Sequence, residues 1–229
     1  MQNLLLKYMN QRLVKPERKR VVAGPVITIS RECGCQGSLV AKMLTEKINE
    51  KLIEKGKRPE WKWISKEILT MASEELKIHP ERLKKVMTQS DYSMIDEIVA
   101  SFTEKSYIYN KKVKKAVYEV IRNFAVEGKT VIVGRGSSSI AWDIEKSLHI
   151  KLEAPLTYKT VIVSRRKNIS FDEARNYVLE VDEERAKFRD AFKIDDAPMN
   201  YHLRINCMNV TAEEICEAVI KLAEMKKII

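Results

Sequence analysis

Val26-Ile27-Thr28-Ile29 is a short apolar, β-branched run with Gly24-Pro25 before it and Gly34 and Gly37 behind it. Such a run predicts a buried strand. Val40, Leu44, Ile48 and Leu52 then recur at helical spacing, so a helix is expected through about Glu54. Gly56 to Pro59 breaks the chain, Trp61 to Ile64 predicts a second strand, and Ser65 can cap a helix carrying Ile68, Leu69, Ala72 and Leu76. His79-Pro80 opens another short helix, and Ser90 to Tyr109 reads as mixed helix and loop. Val113, Ala116, Val117, Val120, Ile121 and Phe124 form one apolar stripe, with Lys111, Lys112, Lys114 and Lys115 mostly on the opposite, solvated face. Gly128 ends that helix.

Three further strands are expected, at Thr130 to Val133, Leu148 to Leu152 and Tyr201 to Asn206. A helix begins near Leu156. Ser170-Phe171-Asp172-Glu173 and Thr211-Ala212-Glu213-Glu214 are capping boxes, the first opening a helix towards Phe192 and the second a helix that buries Ile215, Ala218, Val219 and Leu222. Strands alternating with helices argue an α/β fold, a parallel five-stranded sheet covered on both faces. Ligands of such sheets bind at the carboxyl ends of the strands, where Ser30 to Ser38, Gly134 to Gly136 and Ala154-Pro155 fall. Residues 1–23 read as a basic leader, a short helix with Leu4, Leu5, Tyr8, Met9 and Leu13 and then a linker, ahead of one domain over 24–229.

Charge adds a preference for anions. Lys and Arg number 42 against 32 Asp and Glu, a formal net charge of +10. The basic residues are scattered, which disfavours nucleic acid as a partner. No apolar stretch is long enough to cross a bilayer, and the Leu4 to Leu6 run is too short for a signal peptide, so no membrane partner and a cytoplasmic location are expected. Cys33, Cys35, Cys207 and Cys216 contain no Cys-x-x-Cys pair, so reduced thiols are expected rather than a zinc ribbon.

Three segments can carry chemistry. Ser30-Arg31-Glu32-Cys33-Gly34-Cys35-Gln36-Gly37-Ser38 is a glycine loop between strand and helix, able to offer backbone N–H groups to a phosphate. It departs from the pattern G-x-x-x-x-G-K-[ST]: with Ser38 in the hydroxyl position, Gly37 stands where lysine belongs. Arg31 can supply the missing cation or pair structurally with Glu32. Lys42, a turn beyond Ser38, is expected to point away. Gly134-Arg135-Gly136 offers a strand-end arginine for bidentate phosphate contact or for tying down the following loop, and Ser137, Ser138 and Ser139 after it add hydroxyl donors or form an ordinary loop. In the third, Asp182-Glu183-Glu184-Arg185, Arg185 and Arg189 share one helix face. They can converge on a phosphate or form ion pairs along an exposed helix.

The order and spacing of these segments, together with Trp63 to Leu69, Leu152 to Leu156 and Tyr201 to Glu214, resemble the cytidylate kinase-like family, a divergent branch of the nucleoside monophosphate kinases, over about residues 24–225. The resemblance implies a three-layer P-loop core, a helical insert at 65–127, a lid at about 160–195, and ATP and Mg2+ as cofactors with a small-molecule nucleotide as partner. It implies that Gly34, Cys35, Gln36, Gly37 and Ser38 cradle the donor phosphates. Ser38 would ligate magnesium, and Arg165 and Arg166 would close over the triphosphate. Arg135, Asp182, Arg185 and Arg189 would hold the acceptor, with Arg31, Arg135 and Arg185 stabilising charge in the transfer. Against the family pattern the loop lysine is missing, and Val133, Gly136 and Val178 stand where two aspartates and an arginine are expected.

Overall fold

A computed structural model describes residues 23–65, 103–191, 194 and 196–229. The expected leader helix, the helix capped by Ser65 and the helix at His79-Pro80 lie outside the described residues. Five strands, β1 (Val26–Arg31), β2 (Lys62–Ile64), β3 (Thr130–Val133), β4 (Ser147–Glu153) and β5 (Leu203–Asn206), pair in the order β2-β3-β1-β4-β5. Every pairing is parallel. The helices are α1 (Gly37–Glu54), α2 (Thr103–Glu127), α3 (Ser137–Ile140), α4 (Leu156–Lys167), α5 (Phe171–Ala191) and α6 (Ala212–Met225). This is a three-layer α/β architecture, a parallel five-stranded sheet with helices packed on both faces.

Side-chain alternation along the strands builds two cores. Ile27 and Ile29 of β1, with Val131, Val133, Leu148, Ile150 and Leu152, pack against Val40, Leu44 and Ile48 of α1 and Ile215, Val219 and Ile220 of α6. On the opposite face Val26 and Ile132 meet Val117, Val120 and Ile121 of α2 and Ile140 of α3. Both expected capping boxes form: Glu173 N–H donates to Ser170 Oγ at 3.3 Å, and Glu214 N–H to Thr211 Oγ1 at 3.2 Å. No described helix is long and apolar enough to cross a membrane.

Three local features differ from the sequence expectation. β1 runs on through Ser30 and Arg31, which align with Lys151 and Leu152 of β4, so the loop proper begins at Glu32. Ser137 to Ile140 coil into a short helix that buries Ser137 and Ser138, where an ordinary loop was an alternative. The last strand starts at Leu203, after a 3-10 turn at Pro198–Asn200.

β4 also has a polar face. Leu148, Ile150 and Leu152 enter one core, so the pleat sends Ser147, His149 and Lys151 to the other side, where all three are buried. His149 Nδ1 lies 2.8 Å from Thr28 Oγ1, and its ring clusters with those of Trp142 and His202, each of the three within 6.2 Å of the others. Burial, then the charges of His202 and Lys226, hold His149 at about 3. The unfolded chain takes up this proton near pH 6.5, well before the folded one. The stability from neutral His149 is therefore complete above pH 6.5 and is lost as pH falls towards 3. Urea unfolding at pH 6, 5 and 4 is expected to lose about 1.4 kcal/mol per unit from this group. A His149→Gln variant as steep as the parent would contradict the assignment.

Candidate functional site

Four arginines reach one cavity of about 230 Å³ at the carboxyl ends of β1 and β3: Arg31, Arg135, Arg185 and Arg189. Arg31 ends β1. Its stem passes Gly37, where an added Cβ would lie 2.9 Å from Arg31 Cγ, and its guanidinium ends against the Cα of Gly134. Glycine at 134 is needed twice, for a backbone φ of +76° and for the room Arg31 occupies. Gly134→Ala is expected to cost about 1–2 kcal/mol through the left-handed backbone and to push Arg31 aside. Thermal melts with and without inorganic phosphate read both effects; an unaltered phosphate-induced shift would mean that Arg31 does not face the ligand.

Arg135 also adopts a left-handed backbone, φ 56°, and its guanidinium lies 5.7 Å from the Phe188 ring centroid. Arg185 Nη1 donates to the Arg31 carbonyl at 3.2 Å and to Asp182 Oδ1 at 3.3 Å, tying the middle of α5 to the end of β1. Burial pulls the Arg31 guanidinium down to about 9, helped by the charges of Arg185 and Arg135. Burial and Arg185 lower Arg135 as well. Glu184 is the one carboxylate among the described residues lining the cavity. Arg185 and Arg189 have carboxylate partners in Asp182 and Asp196, but Arg31 and Arg135 are crowded together out of water, and that repulsion favours an anion between them.

Asp182 does not line this cavity. Its carboxylate faces the glycine loop: Cys33 N–H donates to Oδ1 at 2.7 Å, and Lys159 Nζ donates to Oδ2 at 2.8 Å. Lys159 also donates to Glu32 Oε2 at 3.0 Å, and Ala154 N–H, at the end of β4, donates to the same oxygen at 3.2 Å. Glu32 thus pairs with Lys159, because the strand's alternation turns it away from Arg31. Lys159 is 11% exposed in its side chain, and it clamps two carboxylates on the loop and on α5. A Cβ on Gly34 would sit 3.0 Å from the Lys159 Cα and carbonyl oxygen, so the loop backbone rests directly on α4.

The rest of the loop points elsewhere. Gln36, φ 49°, is the N-cap of α1, and the N–H groups of the first helical turn from Gly37 have no partner within the helix. Ser38 is exposed there. The Cys35 thiol is buried and hydrogen-bonded to Cys207, beyond β5. Arg165 and Arg166 are exposed in the last turn of α4, away from the cavity lining. Lys42 lies 3.8 Å from Glu46 on the outer face of α1.

Sequence reading missed a second polar group. Lys151 Nζ donates to Asp196 Oδ2 at 2.6 Å, and the Tyr201 hydroxyl donates to Asp196 Oδ1 at 2.5 Å. The strict alternation Ser147-Leu148-His149-Ile150-Lys151-Leu152 was the available signal, since it places a lysine on a buried face. Among the described residues no group of three or more His, Cys, Asp or Glu is arranged to hold a metal.

A model of the cytidylate kinase-like family matches residues 26–209. No curated protein matches the chain. An uncharacterized protein from Eubacterium ventriosum superposes with a TM-score of 0.62 at 22% identity, over 88% of this chain and 98% of that one. TT1252 from Thermus thermophilus gives a TM-score of 0.50 at 16% identity, over 89% and 98%. A shikimate kinase from Acinetobacter baumannii, in complex with shikimate, gives 0.46 at 14% identity, over 89% and 95%.

Proposed function

The chain belongs to the cytidylate kinase-like family, and on that premise we propose that it transfers a phosphoryl group from ATP to a nucleoside monophosphate or a related phosphorylated small molecule. The observation that carries this reading is the arginine cavity: Arg31, Arg135 and Arg185 are brought together at strand ends, with burial and mutual repulsion lowering Arg31 and Arg135. Phosphoryl transfer asks mainly for positioning and charge stabilisation. In this reading Arg135 and Arg185 hold the acceptor phosphate, with Arg189 at the cavity edge. Arg31 stands between acceptor and donor and takes over part of the charge that a loop lysine carries elsewhere.

The donor phosphates belong on the open N–H groups at the start of α1, over Gly34 to Ser38. When bound, ATP supplies the phosphoryl group and magnesium neutralises its charge. The residues present fit that pair in part: the exposed Ser38 hydroxyl is available as a magnesium ligand, while no lysine stands at Gly37. Asp182 orients the loop through Cys33 N–H rather than touching the acceptor, and Arg165 and Arg166 are placed to reach the triphosphate only if α4 and α5 move.

The test is a transfer screen with magnesium-ATP over nucleoside monophosphates and small phosphorylated acceptors, run beside Arg135→Ala. Transfer by the parent that is lost in the variant is expected; an equally active variant would remove Arg135 from the site. Gly37 in the lysine position favours a second reading, a nucleotide sensor. Tight magnesium-ATP binding with no transfer to any acceptor would select it.

A further inference from the structure

Cys35 and Cys207 lie far apart in the sequence, yet their thiols are hydrogen-bonded to each other within one core cluster. Cys35 belongs to the glycine loop after β1, and Cys207 follows the end of β5. β4 stands between those strands, and the loop reaches across its end, where Ala154 N–H donates to Glu32. Cys35 S–H donates to the Cys207 sulfur, which in turn donates to the Ile205 carbonyl at 3.8 Å. The other two cysteines have separate surroundings. Cys33 packs with Val163, Ala174 and Val178, and Cys216 donates to the Val40 carbonyl at 3.6 Å.

The bond from Cys35, acting against burial, holds the Cys207 thiol below its ordinary value. The same bond, together with burial, pushes Cys35 up. Cys207 is therefore the sulfur that becomes a thiolate first, with the Cys35 thiol in contact behind it. Both are buried, so the oxidant they admit is a small one. The backbone holds Cys207 the more firmly: its N–H donates to the Glu153 carbonyl at 2.9 Å and extends the β4–β5 ladder. Cys35 sits between Gly34 and Gln36, both in left-handed backbone, in a turn closed by a 3.3 Å bond from its N–H to the Glu32 carbonyl. Any shortening between the sulfurs is thus taken up by the loop.

We propose that Cys35 and Cys207 form a reversible disulfide, with a peroxide as oxidant, that locks the glycine loop to the end of β5. The Cys207 thiolate attacks one peroxide oxygen and the O–O bond breaks. Hydroxide leaves as water with the thiol's proton, and Cys207 becomes a sulfenic acid. The Cys35 thiolate then attacks that sulfur, whose hydroxyl leaves as a second water with the Cys35 proton. Two thiols and hydrogen peroxide give one disulfide and two waters, each sulfur losing one electron. The sulfurs draw from non-bonded contact to about 2.05 Å. On the reading that Gly34 to Ser38 carry the donor phosphates, this shift spoils the N–H geometry and weakens magnesium-ATP binding until a reductant reopens the bond.

The experiment treats the fully reduced chain with hydrogen peroxide under native conditions, alkylates the remaining thiols and maps disulfides by mass spectrometry. A crosslinked peptide joining Cys35 to Cys207, removed by dithiothreitol, is expected. Cys216→Ser should still form it, whereas Cys35→Ser and Cys207→Ser should not. Oxidation should weaken magnesium-ATP binding by about 10- to 100-fold, the scale of one lost hydrogen bond to a charged group. Cys207→Ser should keep its affinity under the same peroxide, and an equal loss there would overturn the locking of the loop. A crosslink that fails to form, or forms only in urea, overturns the proposal and leaves the donor reading standing. A crosslink with unchanged ATP affinity upholds the disulfide and removes the loop from the donor site.

Discussion

Arg31→Met is expected to lower phosphoryl transfer by about 10²- to 10³-fold, the scale of removing one preorganised charge donor from a transition state, while making the unliganded protein more stable. The two effects have one origin. The methionine stem can still pack beside Gly37, but the guanidinium, pressed between Gly134 and the charges of Arg135 and Arg185, is gone. Because burial lowers the Arg31 pKa to about 9 in the folded chain, its charge opposes folding throughout neutral pH. Replacing a poorly compensated buried charge by an apolar side chain is often stabilising, by about 1–4 kcal/mol. Steady-state kinetics and thermal melts read the two sides. Added phosphate should raise the parent's melting temperature more than the variant's, since the anion relieves the repulsion only where the arginine is present. A variant that is both less active and less stable would mean that Arg31 is structural.

Lys159→Met is expected to lower the melting temperature by about 4–12 °C, from a loss of about 2–3 kcal/mol in a chain of this size. Lys159 Nζ is held at 3.0 Å by Glu32 and at 2.8 Å by Asp182, and its removal leaves the two carboxylates facing one another across the loop. Burial opposes the Lys159 charge, but the bonds to Asp182 and Glu32 outweigh it and raise the ammonium above its usual range. The stability it confers is thus present at neutral pH and is lost only as pH rises through that elevated value. The variant should also bind magnesium-ATP more weakly, because Asp182 positions the loop through Cys33 N–H. Asp182→Asn retains an oxygen acceptor for Cys33 and should weaken nucleotide binding less. Melting and nucleotide titration of both variants test this, and equal nucleotide affinity in Lys159→Met and the parent would separate the clamp from the donor site.

These residues differ in how far their positions could be read from sequence. Arg185 and Arg189 are four apart, so a helix puts them on one face whatever surrounds it, and both reach the cavity. The capping boxes at Ser170 and Thr211 were equally local and equally readable. Asp182 shares that helix with Arg185, yet its partner is a loop N–H 149 positions away, and no local pattern encodes such a contact. The same holds for Lys159, which looked like one helical lysine among many in a chain with 42 Lys and Arg.

By itself the sequence determined the features that period and punctuation encode. Apolar runs between glycine breaks set five strands, helical stripes set the covering layers, and their alternation set a parallel sheet with its chemistry at the strand ends. Only the tertiary structure decided which charges meet. Arg31 faces Arg135 and Arg185 rather than Glu32, because β1 extends through residue 31 and the pleat turns its neighbours apart. Tyr201, Asp196 and Lys151 meet because β4 and β5 lie side by side, a pairing fixed by sheet order and not by any spacing along the chain.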